Sequence, residues 1–198
     1  PTAIAAARDI APFAPMAFEE PVPPESLDAL ADVRRASPVP IASGERFCEP
    51  ARFQEAITRG AVDHLQPDVC HVGGLGECKR IAAMAYARYL PVSPHNPLGP
   101  VANAMTLQLL ASIPNAGLLE TMVSDVPWRG EIATEHAMFE NGFMRIPDRP
   151  GLGVDLHPDA CRRHPYVRRE LRHYRGTLTD IRPPDSKPYY RVRETSHA

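Results

Sequence analysis

An α/β fold built from parallel βα units is predicted by three features of this 198-residue sequence. Five apolar, strand-like runs each end in a titratable side chain, at a spacing of 23 to 27 residues. That spacing fits one strand, one helix and two loops. Most runs are followed by a segment with helical apolar periodicity. The runs are MAFE ending at Glu19, VPIASGE ending at Glu45, HLQPD ending at Asp68, LPVSPH ending at His95 and AGLLE ending at Glu120.

Helices are predicted between these strands because apolar residues recur there every three or four positions. Segment 25–36, for example, brings four apolar residues near one face, namely Leu27, Leu30, Ala31 and Val33. A small-residue segment before the first strand, 2–9, is also expected to be helical. The remaining predicted helices cover 50–59, 76–89 and 101–112.

The alternation stops after Glu120. Segment 121–135 is predicted to be irregular, 139–147 to form a pair of strands, and 150–156 to be a Gly/Pro turn that leads into a short strand. Segment 157–198 carries ten Lys/Arg against five Asp/Glu and is expected to be a solvated extension. Five strands cannot close an eight-stranded barrel. We therefore expect the chain to be the C-terminal part of a larger polypeptide, or its first half to be supplied separately.

Composition argues against several classes of function. The formal net charge is −2, which does not suit a chain that binds nucleic acid through its overall charge. No apolar run reaches 18 residues, so no membrane span is predicted. The four cysteines form no CxxC pair, which disfavours a zinc finger or a disulfide framework. We expect a cytoplasmic protein whose partner is a small molecule.

The strand-end residues suggest a chemistry. In parallel sheets of this kind the carboxyl ends of the strands carry the active site. Glu19 and Glu45, on neighbouring strands, are suited to bind a hard cation such as Mg²⁺. Asp68 and His95 suit a dyad in which the carboxylate orients the imidazole. A single strand-end acid is more often a surface residue or a helix cap. The prediction therefore depends on finding a titratable residue at the end of all five strands.

Two neighbours of the strand ends are assigned differently. His71 lies just beyond Asp68 and is expected to contact a substrate. Glu20 should point away from Glu19, because side chains alternate along a strand, and it is interpreted as a structural residue or as one that supports the residues of the site.

At these residues the sequence resembles the enolase superfamily, in its mandelate racemase/muconate lactonizing enzyme subgroup. Within that subgroup it is similar to the galactonate dehydratase-like sugar-acid dehydratases. The matching stretches are FEEPVPPE (18–25), PIASGERF (40–47), QPDVCHVGG (66–74), SPHNPLGP (93–100), LLET (118–121) and PDRPGLGVDL (147–156).

The resemblance implies a fold and a set of roles. The chain would be the C-terminal part of a TIM-type (β/α) barrel, with the N-terminal capping domain and the first barrel strands outside it. Glu19 and Glu45 resemble the second and third metal ligands, and the Asp68–His95 pair resembles the family dyad. Glu120 resembles the acid near the substrate carboxylate. The first metal ligand and the general base would precede Pro1, and a homo-oligomer is implied.

The resemblance also implies a domain division and a partner. Residues 1–137 would form the partial barrel that carries the site, and 138–157 a strand and turn segment returning towards the capping region. Residues 158–198 would be a polar C-terminal extension. The partner would be a sugar acid, with no nucleic acid and no membrane.

The expected function is a Mg²⁺-dependent dehydratase that removes the proton α to a carboxylate and eliminates the β-hydroxyl. The product would be a 2-keto-3-deoxy acid. Three alternatives stay open: a racemase, epimerase or cycloisomerase on the same scaffold; a barrel glycosidase with two strand-end carboxylates; and an inactive fragment or scaffold.

Overall fold

Strands and helices alternate through the first part of the chain in a computed structural model, which describes residues 1–122, 124–166 and 187–188. The helices are α1 Thr2–Ile10, α2 Leu27–Ala36, α3 Pro50–Thr58, α4 Leu75–Tyr86, α5 Pro100–Ala111, α6 Arg129–Ile132 and α7 Pro158–Arg163, with a 3₁₀ turn at Ala11–Phe13. The strands are β1 Phe18–Glu19, β2 Ile41–Ser43, β3 His64–Leu65, β4 Ser124–Asp125, β5 Ala133–Glu135, β6 Met138–Glu140, β7 Phe143–Arg145, β8 Val154–Leu156 and β9 Lys187–Pro188.

The described chain divides into two compact units. The first comprises Pro1–Asn96 and Met105–Glu120, and the second comprises Pro97–Ala104 and Thr121–Ala198. The domain boundaries at 137 and 157 stay a prediction. Across the described residues, no helix combines the length and the apolar character that crossing a membrane requires.

A parallel sheet in the order β1-β2-β3 organises the first unit. Val92 continues it through a parallel bridge to Leu65, and Ala116 bridges in parallel to Val92. The five predicted strand positions therefore follow one another in chain order, and the predicted α/β fold is confirmed.

The fourth and fifth strands are nevertheless shorter than expected, because each contributes a single bridged residue instead of a run of several. Pro91 and Pro94 flank Val92 and have no N–H to donate to a ladder, so regular pairing cannot extend on either side of it.

The predicted helices of the first unit form at or near their expected positions. Ser26 begins α2 by accepting a hydrogen bond from the Ala29 N–H at 3.2 Å. Helix α4 ends at Tyr86, three residues before its predicted end. Tyr89 has a φ of +56°, a left-handed conformation that does not continue a helix.

Apolar packing and one half-buried ion pair, Arg34–Asp63, hold the helices against the sheet. Phe47 and Phe53 pack edge to face with ring centroids 5.2 Å apart, and both are almost completely buried. Each such ring contributes roughly 1.5–3 kcal/mol by leaving water. Asp63 joins helix to strand: its Oδ1 accepts from Arg34 Nη2 at 2.8 Å, and its Oδ2 accepts from the Ile41 N–H at 2.9 Å.

The second unit consists of short antiparallel pairs. Strands β6 and β7 form a hairpin closed by Asn141 and Gly142, both at positive φ, as a two-residue Asn-Gly turn requires. The strand pair predicted for 139–147 is thus confirmed. Strand β5 pairs with β8, and β4 with β9.

The prediction that 121–135 is irregular is wrong, because this segment contains β4, α6 and β5. Elements of two to four residues are too short to leave a periodic pattern in the sequence. Of the extension predicted for 158–198, α7 is a short helix, while 167–186 and 189–198 lie outside the described residues.

Candidate active site

A histidine–aspartate pair lies at the ends of the third and fourth strand positions. His95 Nδ1 donates to Asp68 Oδ2 at 2.7 Å, and the Cys70 N–H donates to Asp68 Oδ1 at 2.7 Å. Asp68 is completely buried, whereas 16% of the His95 side chain is exposed. An ionised carboxylate can only accept, so the hydrogen on Nδ1 is fixed by this contact and Nε2 is left for proton transfer.

Glu45 brings a second carboxylate to the same histidine. Its Oε2 lies 3.5 Å from His95 Nε2. The residue before it, Gly44, has a φ of +144°. A Cβ atom there would lie 2.9 Å from both the Gln66 main-chain nitrogen and a ring carbon of Phe53. Glycine is therefore required for the chain to turn out of β2 and present Glu45 at the strand end.

His71 is tied to this cluster at two points. Its Nδ1–H donates to the main-chain oxygen of Glu45 at 2.7 Å, and Nδ1 lies 3.7 Å from Asp68 Oδ2. Its ring stacks on that of His95 with centroids 6.1 Å apart. Because the carbonyl can only accept, neutral His71 carries its proton on Nδ1 and has an acceptor at Nε2. Its side chain is 45% exposed, so it is accessible to a ligand.

Glu19 and Glu20 take different partners, although Glu20 lies just beyond β1 with a φ of +41° and strand alternation does not apply to it. Glu19 Oε1 accepts from Gln66 Nε2 at 2.5 Å. Glu20 Oε2 forms an ion pair with Arg46 Nε at 2.5 Å. Burial raises the pKa of Glu20, and the Glu45 and Glu19 carboxylates raise it further, while Arg46 opposes the shift. Glu20 is therefore not remote from the site, because it shares the electrostatic surroundings of both predicted metal ligands.

Glu120 is held by the residue that follows His95. The Asn96 main-chain N–H donates to Glu120 Oε2 at 2.8 Å, and Asn96 Nδ2 donates to the Glu120 main-chain oxygen at 2.8 Å. Of the six predicted site residues, four are joined directly to one another (Glu45, Asp68, His71 and His95). The other two, Glu19 and Glu120, bind the amide residues Gln66 and Asn96.

The donor set suits Mg²⁺. This ion prefers oxygen ligands and usually takes one or two protein carboxylates, with water or substrate completing its shell. Glu19 and Glu45 supply two carboxylates, and both act on the pKa of Glu20. Within the part of the chain that the structure describes, no group of three His, Cys, Asp or Glu side chains could hold a metal ion. The two glutamates therefore fit as part of a ligand set.

The comparison with known families agrees with this geometry. The family described as "Enolase C-terminal domain-like" matches residues 1–160. The chain belongs to this family. It covers the C-terminal, barrel part of the enolase-family fold, as the resemblance implied.

Three curated relatives are enzymes that act on sugar acids or their lactones, by their names. D-xylonate dehydratase of Haloferax volcanii is 36% identical over 147 residues, which is 74% of this chain and 36% of the relative. D-galactarolactone cycloisomerase of Agrobacterium fabrum is 38% identical over 151 residues (72% and 40%). D-galactonate dehydratase of Ralstonia pickettii is 36% identical over 155 residues (75% and 41%). The chain thus spans less than half the length of these relatives.

A solved structure from the same family has the same fold. The mandelate racemase/muconate lactonizing enzyme from a Sulfitobacter species superimposes with a TM-score of 0.80 at 37% identity, covering 85% of this chain and 42% of that one.

Three residues that contact the predicted site residues or Glu20 were not anticipated: Gln66, Asn96 and Arg46. Each lies within two residues of a predicted site residue in the sequence, but that proximity is shared by residues outside the site and does not single them out. Cys70, in contrast, is no activated nucleophile, since burial and the Asp68 charge raise the pKa of its thiol.

Proposed function

We propose that the full-length protein is a Mg²⁺-dependent dehydratase of a sugar acid, an aldonate or aldarate, that produces a 2-keto-3-deoxy acid. The observation that carries this proposal is the His95–Asp68 pair with Glu45 3.5 Å from the free imidazole nitrogen. The dehydratase names of two relatives, which act on xylonate and galactonate, support the substrate class.

The chemistry requires two proton movements and the loss of water. The proton α to the carboxylate leaves first, and the β-hydroxyl then departs as water. His95 acts as the general acid that protonates this hydroxyl from Nε2, while Asp68 holds the opposite side of the ring and stabilises the imidazolium. No residue of this chain is assigned as the base that removes the α-proton.

Four further residues bind the metal ion or orient the substrate. Glu19 and Glu45 hold Mg²⁺, which when bound offsets the negative charge that develops on the substrate carboxylate. Glu120 lies near that carboxylate, at the last strand position. His71 accepts a hydrogen bond from a substrate hydroxyl at Nε2, since its Nδ1–H is already used by the Glu45 carbonyl.

The proposal is tested by incubating the full-length protein and Mg²⁺ with a panel of aldonic and aldaric acids and measuring 2-keto acid formation. We expect turnover of at least one acid, its loss in EDTA, and its recovery when Mg²⁺ is restored. Hydrolysis of a glycoside that persists in EDTA would instead favour a glycosidase that uses two strand-end carboxylates. Failure to dehydrate any acid of the panel counts against the proposal.

A second candidate, a cycloisomerase, is favoured by the identity to D-galactarolactone cycloisomerase. On this scaffold His95 would then exchange a proton with carbon without losing a hydroxyl. The two functions differ in whether a keto acid is formed. In deuterated water, deuterium in a recovered or isomerised acid without keto acid formation favours the cycloisomerase or a racemase.

A further inference from the structure

Asn96 is a buried polar residue next to the proposed general acid. It follows His95 directly and is completely buried. Two of its donors reach one residue, Glu120: the main-chain N–H binds the side-chain Oε2 and the amide Nδ2 binds the main-chain oxygen, both at 2.8 Å. Two hydrogen bonds to different parts of Glu120 fix both its backbone and the orientation of its carboxylate.

The orientation of the Asn96 amide is itself determined by its neighbours. The Glu120 main-chain oxygen can only accept, so the side-chain nitrogen of Asn96 must face it. The amide oxygen on the other side accepts from the hydroxyl of Thr106 at 3.4 Å. Thr106 belongs to α5 and is completely buried. A helix thus orients the amide, and the amide orients Glu120.

We propose that Asn96 is a positioning residue, which sets the place of the Glu120 carboxylate relative to the strand end that carries His95. The inference rests on the proposed function, in which His95 and Glu120 act on the same substrate. Because Asn96 and His95 are adjacent in the chain, the distance from the general acid to Glu120 is set by a peptide bond and two hydrogen bonds. A misplacement of about 1 Å in such an arrangement can reduce a rate about 100-fold.

Asn115 provides a matched control. Its Nδ2 also bridges two main-chain oxygens, those of Ala82 at 3.1 Å and Leu90 at 2.8 Å. It therefore stabilises the same unit by the same chemistry, but its partners are not site residues. A purely structural role of Asn96 would resemble that of Asn115.

The experiment is a double-mutant cycle on kcat/KM of the full-length protein with Mg²⁺ and an acid that it dehydrates. We expect Asn96→Ala to lower kcat/KM by roughly 10- to 100-fold. In a Glu120→Ala background the same substitution should lower it by less than about threefold, because the residue through which it acts is gone. Asn115→Ala should instead cause the same fold loss with and without Glu120.

The outcomes separate the two hypotheses. Equal losses from Asn96→Ala in both backgrounds, or no loss in either, would overturn the positioning role alone. No dehydration by the unsubstituted protein would overturn the proposed function, and the positioning role would fall with it. If Asn96→Ala does not fold, Thr106→Val gives the same test through the amide that Thr106 orients. We expect a smaller loss that disappears in the Glu120→Ala background, and a loss that persists there contradicts the proposal.

Discussion

His95 Nδ1 and Asp68 Oδ2 are 2.7 Å apart, and the carboxylate of this pair is completely buried. A buried carboxylate costs several kcal/mol in solvation unless it is hydrogen-bonded. Asp68 meets that requirement through the Cys70 N–H and the imidazole. A general acid needs this charge, because the carboxylate stabilises the imidazolium that donates the proton.

The first prediction concerns this pair. His95→Asn should lower kcat for dehydration by roughly 10²- to 10⁴-fold, because the proton donor for the leaving hydroxyl is lost. Asp68→Asn should also lower kcat, since an amide can hold the wrong imidazole tautomer. Mg²⁺ affinity, measured by calorimetry, should be nearly unchanged in His95→Asn, because the imidazole is not a proposed ligand.

His136→Asn is the control for that prediction. His136 Nε2 contacts Asp155 Oδ2 at 2.8 Å, so it is also part of a His–Asp pair, but it lies in the second unit. Its replacement should leave kcat within about twofold, the scale expected of a surface substitution. An unaffected rate in His95→Asn would remove the general-acid role.

The second prediction concerns metal binding. Glu45→Gln keeps the size of the side chain and removes its charge, and it leaves the main-chain oxygen that His71 binds. We expect a loss of Mg²⁺ affinity of roughly tenfold or more, measured by calorimetry on the full-length protein. Glu49→Gln, at an exposed residue just before α3, should bind Mg²⁺ as the unsubstituted protein does. Equal affinity in both variants would exclude Glu45 as a ligand.

The strand-end residues could be predicted from the sequence because they recur at a regular spacing along the chain. Asp68 and His95 end successive βα units, and parallel strands bring their carboxyl ends together whatever the details of the loops. The hydrogen-bond partners depend instead on tertiary contacts. Asn96 and Gln66 are uncharged and follow no repeat, so nothing in a single sequence separates them from other amide residues. Their roles can be assigned only from the interatomic distances in the structure.

The third prediction concerns the turn before Glu45. Gly44→Ala should lower the free energy of unfolding by roughly 2–4 kcal/mol, because the new Cβ meets the Gln66 main chain and Phe53 at 2.9 Å with φ at +144°. Urea unfolding measures this loss. Relief of the contact should also displace Glu45 and weaken Mg²⁺ binding.

Gly76→Ala is the matched control for that turn. Gly76 lies in the first turn of α4, and a Cβ there would meet no atom within 4 Å. Alanine is the better helix former, so this variant should be more stable by roughly 0.5–1 kcal/mol. If the two alanine variants had the same stability, the turn at Gly44 would not need glycine.

The last prediction concerns the thiols. Burial raises the pKa of Cys78 to about 12, and only the thiolate reacts with an alkylating reagent. At pH 8 roughly one Cys78 side chain in ten thousand is ionised, so its labelling should be far slower than that of the exposed Cys48 and Cys161. Cys70 should react at an intermediate rate, because burial and the Asp68 charge also raise its pKa. Mass spectrometry of the labelled peptides measures each rate, and all four cysteines should label in denaturant. Rapid labelling of Cys78 in the folded protein would mean that the face of α4 on which it lies opens to solvent.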